Sequence, residues 1–257
     1  KRRGLRTQIN TNLTLEYDRY EALAPYVDVF HITYNYAVPE DFLRIGFAKS
    51  ERPPSRETAL RLHDRMVENA RRLADAGAFV SAESMINWRT AGSIVAIHRR
   101  IVEMGCRRHE VHPMYPSDFA AALPVLPLGR MRAAICALLD GRDRGVWMLF
   151  GTLPFFACSS DPEDLALIRR LAAEPNVTVR GDPDGRNRLN VNTFTGDVTV
   201  TDFASVPPVG NIARDRLDDL FEAWSNHPLQ QAVGCHCPEA RCCGPNLLVA
   251  DMYYKGV

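Results

Sequence analysis

Several familiar features are missing from this chain of 257 residues, and each absence removes a class of function. No apolar run approaches the roughly 20 residues that a membrane-spanning helix needs, so no membrane role is expected. The apolar core and cleavage site of a secretory leader are absent. Charge of one sign is not in excess. Lys and Arg number 31, as do Asp and Glu, so nothing draws the chain to nucleic acid or an anionic surface. A Ser-His-Asp order, a phosphate-cradling glycine loop and an H-E-x-x-H helix are all missing, which demotes hydrolases and P-loop enzymes. The C-x2-C pair of common zinc sites is missing too.

What is present is an ordinary globular composition, 46% hydrophobic and 24% charged. The length suits one large α/β domain, or a domain with a small appendage. Seven cysteines, odd in number and unevenly spread, argue against a secreted disulfide framework and for a reducing cytoplasm. The opening Lys1-Arg2-Arg3-Gly4 lacks a methionine and runs directly into a strand-like segment. That is the start expected of a fragment cut inside a larger domain, with the basic triplet read as a solvated helix end.

Strand-like and helix-like segments alternate along most of the chain. Strands are expected at Leu5–Asn10, Val27–Tyr34, Ala78–Ala82, His109–Met114, Val146–Phe150 and Asn176–Arg180. Helices are expected at Leu15–Leu23, Arg56–Ala76, Ala91–Met104, Gly129–Leu139 and Pro162–Ala173. Ser55 can cap the second of these and Gly77 stop it. Pro39 to Pro54 reads as a long loop. This alternation means βα units and a parallel sheet of about six strands, enough for an open or partial barrel. After Gly181 the pattern changes to a β-hairpin, Arg188–Phe194 and Val198–Phe203 around Thr195-Gly196-Asp197. An amphipathic helix, Asp215–Ala232, follows, with Leu217, Leu220, Phe221, Trp224 and Leu229 near one face. The boundary between the two parts is expected at 181–186.

Four of the seven cysteines fall within Gly234-Cys235-His236-Cys237-Pro238-Glu239-Ala240-Arg241-Cys242-Cys243-Gly244. Core packing gives no reason to crowd thiols, whereas thiolate ligation of a metal or an iron–sulfur cluster does. Cys235, Cys237, Cys242 and Cys243 are therefore candidate ligands, with structural zinc as the competing occupant. His236 is expected to face solvent. Cys106, Cys136 and Cys158 stand alone and read as small buried hydrophobes.

Function in parallel α/β domains gathers at the C-terminal ends of strands. Those ends carry Thr11-Asn12, Thr33-Tyr34-Asn35, Glu83-Ser84 with Asn87, and His112-Pro113-Met114-Tyr115. Polar residues at four successive ends suit a ligand with hydroxyls, an amine and a carboxylate. His112 reads as a structural histidine without a partner nearby in sequence.

The turn Thr11-Asn12 after a strand, the strands ending His-Ile-Thr-Tyr-Asn and His-Pro-Met-Tyr-Pro, and the run from Phe194 through Thr195-Gly196-Asp197 to the cysteines together resemble the radical S-adenosylmethionine superfamily. The last part resembles its SPASM or twitch extension, and Cys235-x-Cys237-x4-Cys242 is most similar to the YfkAB-like group with a CxCxxxxC motif. The resemblance covers nearly the whole chain. It implies a partial (β/α) barrel over 1–181 and a small hairpin-helix, cysteine-rich extension over 182–257. It also implies a 5′-deoxyadenosyl radical formed from S-adenosylmethionine.

Carried over residue by residue, Thr11 and Asn12 border the methionyl side, while Thr33 and Asn35 meet ribose or carboxylate. Arg44 pairs with that carboxylate, Glu83 belongs to the same row, and Pro113 and Met114 lie against adenine. Cys235, Cys237, Cys242 and Cys243 hold an auxiliary [4Fe–4S] cluster. The superfamily's CxxxCxxC loop, which binds the second [4Fe–4S] cluster, is not in this sequence, nor is the Gly-Gly-Glu-Pro segment. Both are expected ahead of Leu5 with the barrel's first two strands, leaving about four of six strands here and making Val146–Arg180 either the last of these or linker. The fragment alone is expected to be inactive. An electron-donor protein and a peptide or small-molecule substrate are the implied partners. The alternative is a non-catalytic α/β protein-binding module with structural zinc.

Overall fold

The computed structural model describes residues 4–115, 123–181, 189–201, 206–228, 249 and 252–254. Two compact units divide the chain. The first comprises Lys1–Met114, Leu126–Phe150 and Arg170–Val179; the second comprises Tyr115–Val125, Gly151–Arg169 and Arg180–Val257.

The first unit is built on a parallel sheet whose strands follow chain order: β1 (Gln8–Asn10), β2 (Val29–Thr33), β3 (Val80–Ile86), β4 (Arg108–Pro113), β5 (Trp147–Gly151) and β6 (Val177–Arg180). Helices α1 (Tyr17–Leu23), α2 (Arg56–Asp75), α3 (Ile94–Glu103) and α4 (Leu128–Gly141) alternate with them, and in chain order α5 (Pro162–Ala173), most of which belongs to the second unit, comes between β5 and β6. The six-strand count holds, and the alternative of four strands with Val146–Arg180 as linker does not. β5 and β6 continue the sheet beside β4, as their β-branched and aromatic content favours.

Register fixes the two faces of this sheet. Phe30 lies opposite Val80, Ile32 opposite Ala82, and Val111 opposite Phe150. These side chains are fully buried. They share the core with Met66, Ala70 and Leu73 of α2, with Ile94, Ile97 and Ile101 of α3, and with Met131, Ile135 and Leu138 of α4. Removing each of the larger of these side chains from water contributes about 1.5–3 kcal/mol. Ser55 caps α2 by accepting the Thr58 N–H at 3.2 Å. Gly77 and Gly105 end α2 and α3 in the left-handed region, φ 88° and 77°, where a side chain is strained.

One polar chain crosses this core. The Asp143 amide donates to His98 Nε2 at 3.0 Å, which makes that nitrogen the acceptor. His98 Nδ1–H therefore donates to His109 Nδ1 at 3.0 Å, His109 Nε2–H to Ser84 Oγ at 2.9 Å, and Ser84 to the Tyr34 carbonyl at 2.6 Å. Burial holds the His98 pKa down, to about 4, and that of His109 well below its ordinary value, with the nearby His98 adding to the effect.

Three local expectations change. Strand β3 runs to Ile86 rather than Ala82, because its alternation continues through Glu83 and Ser84; both lie inside the strand, not at its end. Within Pro39–Pro54 the chain forms a π-helical turn, Phe42–Gly46. Asp41 anchors it by accepting the Ala37 and Val38 amides at 3.0 and 3.2 Å, and Phe42 packs edge-on against Tyr36 and Phe47. Cys158 is exposed in a turn, whereas Cys106 is buried and Cys136 half-buried. Burial pushes the Cys106 thiol up to about 12.

In the second unit, β7 (Asn190–Val191) pairs antiparallel with β8 (Asp197–Thr199), as the hairpin reading expects. A third strand, β9 (Gly210–Asn211), pairs with β8 and is too short to leave a period-two signal. Asn211 locks the hairpin turn by donating to the Thr195 carbonyl at 2.8 Å and to Asp197 Oδ1 at 2.9 Å. Helix α6 (Leu217–Ser225) is shorter than the expected Asp215–Ala232. Pro228 disfavours helix at His227, so the turn stops before it. Leu220 and Trp224 are buried, but Leu217 and Phe221 are exposed. Among the described residues no helix is long and apolar enough to cross a membrane.

Candidate functional site

Parallel pairing aligns the C-terminal ends of β1 to β4 along one edge of the first unit. The turn after β1 is tightly built. Thr11 N–H reaches the His31 carbonyl at 2.9 Å, and Thr11 Oγ1 accepts the Leu13 amide at 3.1 Å. Leu13 is fully buried yet left-handed, φ 52°, a conformation rare for leucine. Asn69 of α2 holds it there by donating to the Leu13 and Leu15 carbonyls at 2.8 and 2.9 Å. Strain fixed by a buried amide concentrates at functional turns. Asn12 is exposed, and its Oδ1 accepts from Thr14.

The other strand-end candidates are knit to the same edge. Thr33 is exposed at the end of β2, in register with Glu83. Asn35 Oδ1 accepts the Met85 amide at 2.8 Å. Pro113 is buried at the end of β4, and Asn87 donates to Met114 Sδ at 3.3 Å. Arg44 lies in the π-helical turn, where its guanidinium is paired with Asp41. Amide groups of Asn12 and Asn35 and the Thr33 hydroxyl thus face the edge with donors that no other described group takes. Glu83 stands directly opposite Thr33, but it projects from the middle of β3 and not from a strand end.

Its neighbours form a second constellation. His31, Ser81, Glu83, Arg108, Glu110 and His112 occupy alternate positions on β2, β3 and β4, on the face opposite the helices, with His31 opposite Ser81, Ser81 opposite Arg108 and Glu83 opposite Glu110. His31 contacts Ser81 Oγ through Nδ1 at 3.1 Å and Glu83 Oε2 through Nε2 at 3.2 Å. Arg108 donates to Ser81 Oγ at 2.8 Å and lies 3.4 Å from Glu110 Oε2. His112 Nε2 is 2.9 Å from Glu110 Oε1. His112 therefore has a partner two residues away, which corrects its reading as unpartnered. On a strand, i and i+2 share a face.

Burial works to raise the pKa of both glutamates. For Glu83, the His31 hydrogen bond and the fields of His112 and His31 outweigh it; for Glu110, the His112 hydrogen bond and charge and the Arg108 guanidinium do so. Both carboxyls sit below their ordinary range. One sequence signal marked this constellation: polar residues at every second position, Ser81-x-Glu83 and Arg108-x-Glu110-x-His112, inside strands whose other face is mostly apolar. Cys235, Cys237, Cys242 and Cys243, with His236, lie outside the described residues.

The sequence profile of the YfkB-like domain matches residues 114–257. "Putative protein YfkA" of Bacillus subtilis (strain 168) is 57% identical over 254 residues, 98% of this chain and 68% of that protein. The chain belongs to the YfkB-like domain family. Among solved structures, Streptococcus suis SuiB bound to S-adenosylmethionine aligns with a TM-score of 0.49 at 13% identity, over 88% of this YfkB-like chain and 49% of SuiB. The YfkB-like chain thus spans about half the SuiB length. A monomeric dihydrodipicolinate synthase variant aligns with a TM-score of 0.37 at 15% identity, over 70% and 55% of the two chains.

Proposed function

We propose that this YfkB-like chain is the C-terminal part of a radical S-adenosylmethionine enzyme with an auxiliary [4Fe–4S] cluster on Cys235, Cys237, Cys242 and Cys243. The observation that carries the reading is the row of untaken donors on Asn12, Thr33 and Asn35 along the strand edge, beside a turn held in strain by Asn69. Donors in a row suit a carboxylate and ribose hydroxyls. Half-buried Met114, next to Pro113 at the following strand end, offers an apolar contact for a purine. When bound and reduced by one electron, S-adenosylmethionine supplies a group that abstracts hydrogen from substrate, and the protein contributes orientation and exclusion of water. Asn12 and Thr33 orient the carboxylate and ribose; Asn35 does so while its oxygen stays on the Met85 amide. The CxCxxxxC spacing supplies soft thiolate ligands suited to iron–sulfur. The second cluster belongs, in this reading, to the CxxxCxxC residues of the full-length protein. A reducing cytoplasm suits exposed Cys158 and the thiolate cluster.

Anaerobically prepared full-length protein is expected to carry iron and sulfide beyond one cluster, and Cys235→Ala with Cys237→Ala to lower both. Unchanged iron and sulfide in that double variant sinks the auxiliary cluster. One zinc per chain without visible absorbance favours the zinc-stabilised binding module instead. Thr33→Ala is expected to weaken S-adenosylmethionine binding about fivefold, the worth of one hydrogen bond, measured by calorimetry.

A further inference from the structure

We propose that Glu83, Glu110 and His112 form a binding site for one divalent first-row transition ion on the polar face of the sheet, separate from the cysteine cluster. A carboxylate oxygen from each glutamate and one ring nitrogen of His112 lie within 4.8 Å of one another. Strand register produces this convergence. Glu83 and Glu110 are direct neighbours across β3 and β4, and His112 follows Glu110 on the same face.

Each carboxylate is already oriented from behind. The Oε2 atom of Glu83 is held by His31, and Oε2 of Glu110 faces Arg108. His31 is in turn fixed by Ser81, which also accepts from Arg108. Outer groups that hold one oxygen and leave the other pointing inward are the usual support of metal-bound carboxylates. Glu110 Oε1 lies 2.9 Å from His112 Nε2, and Glu83 keeps its Oε1 available while His31 holds its Oε2. Two carboxylates and one imidazole match the ligand preferences of manganese, iron or zinc better than those of magnesium or calcium.

Charge points the same way. Directly opposed like charges on neighbouring strands are destabilising. Glu83 and Glu110 face each other directly across the two strands, and the Glu110 side chain is only 8% exposed. A divalent ion between them offsets this repulsion. Side-chain exposures of 21% at Glu83 and 17% at His112 leave room for water in the remaining coordination positions. Glu83 lies directly opposite Thr33 of the strand-end row, but the site uses neither the Asn12, Thr33 and Asn35 donors nor the clustered cysteines, so its ion binding can be tested apart from the radical reading.

The test uses Mn2+ as probe on the full-length protein, since this ion is poorly held by thiolates. Titration followed by electron paramagnetic resonance is expected to show one Mn2+ per chain, with electron spin-echo modulation from a single imidazole nitrogen. Glu83→Gln and His112→Gln should each abolish that site. His31→Gln should weaken it about tenfold, as losing an outer support does. Cys235→Ser with Cys237→Ser should leave it intact, whatever the iron and sulfide content. Absence of bound Mn2+, or bound Mn2+ without nitrogen modulation in the unaltered protein, overturns the proposal without reliance on any variant that misfolds. Retention of the nitrogen modulation in His112→Gln overturns it as well.

Discussion

His109 and His112 stand three residues apart on β4, and they occupy opposite electrical settings. The His109 ring points among the helices, fully buried, and bonds only neutral groups, His98 and Ser84. His112 points to the other face, where Glu110 takes its nitrogen and Glu83 stands nearby. On the first face hydrogen bonds replace solvation and every proton has one place. On the second, ionised groups are held close with part of their surface still wet. A single strand therefore packs its odd-numbered residues, His109 and Val111, against the helices and presents charged and titratable groups, Arg108, Glu110 and His112, on its even-numbered side.

The contrast can be broken from the helix side first. Phe30→Ala, at a position with no exposure, should cost about 3–5 kcal/mol in urea unfolding. A loss under about 1 kcal/mol there contradicts a close-packed face. Acid should act next. The His98 pKa is depressed to about 4 from 6.5, so the folded state favours the neutral ring. This contribution is complete above pH 6.5 and fades as pH falls toward 4, about 3 kcal/mol in all. The slope of stability against pH over that window should flatten in His98→Gln; an equal slope in both proteins removes His98 as its source.

The polar face should respond less in stability. Arg108→Met takes the guanidinium from Glu110 and should cost about 2 kcal/mol, less than a sealed ion pair because water reaches both groups. Smaller still, Glu83→Gln should change stability by under about 1 kcal/mol while removing Mn2+ binding. A fall comparable to that of Phe30→Ala would place Glu83 in the structural class and erase the difference between the faces.

Much of this arrangement was legible beforehand. Six strands alternating with helices could be read because the longer helices carry an apolar stripe, and α2 and α3 end at Gly77 and Gly105. The Thr11-Asn12, Thr33 and Asn35 ends could be read because polar turn residues follow β-branched runs. Glu83 was read at a strand end for a physical reason: a charge inside a parallel strand looks like a strand end unless the neighbouring strands supply its partner His31 and its neighbour Glu110. These lie 52 and 27 residues away in sequence, and only register brings them close. The strained Leu13 gave no signal at all, since Asn69, 56 residues on, imposes its backbone.

The chain of bonds from the Asp143 amide through His98, His109 and Ser84 to the Tyr34 carbonyl has a consequence for dynamics. Its donors all run in one direction, so neither ring can turn over without breaking several links at once. The ring N–H protons should therefore exchange with solvent only when α3 lifts from β4. Their nuclear magnetic resonance signals would serve as a built-in gauge of that opening, read in hours of protection rather than in enzyme turnover.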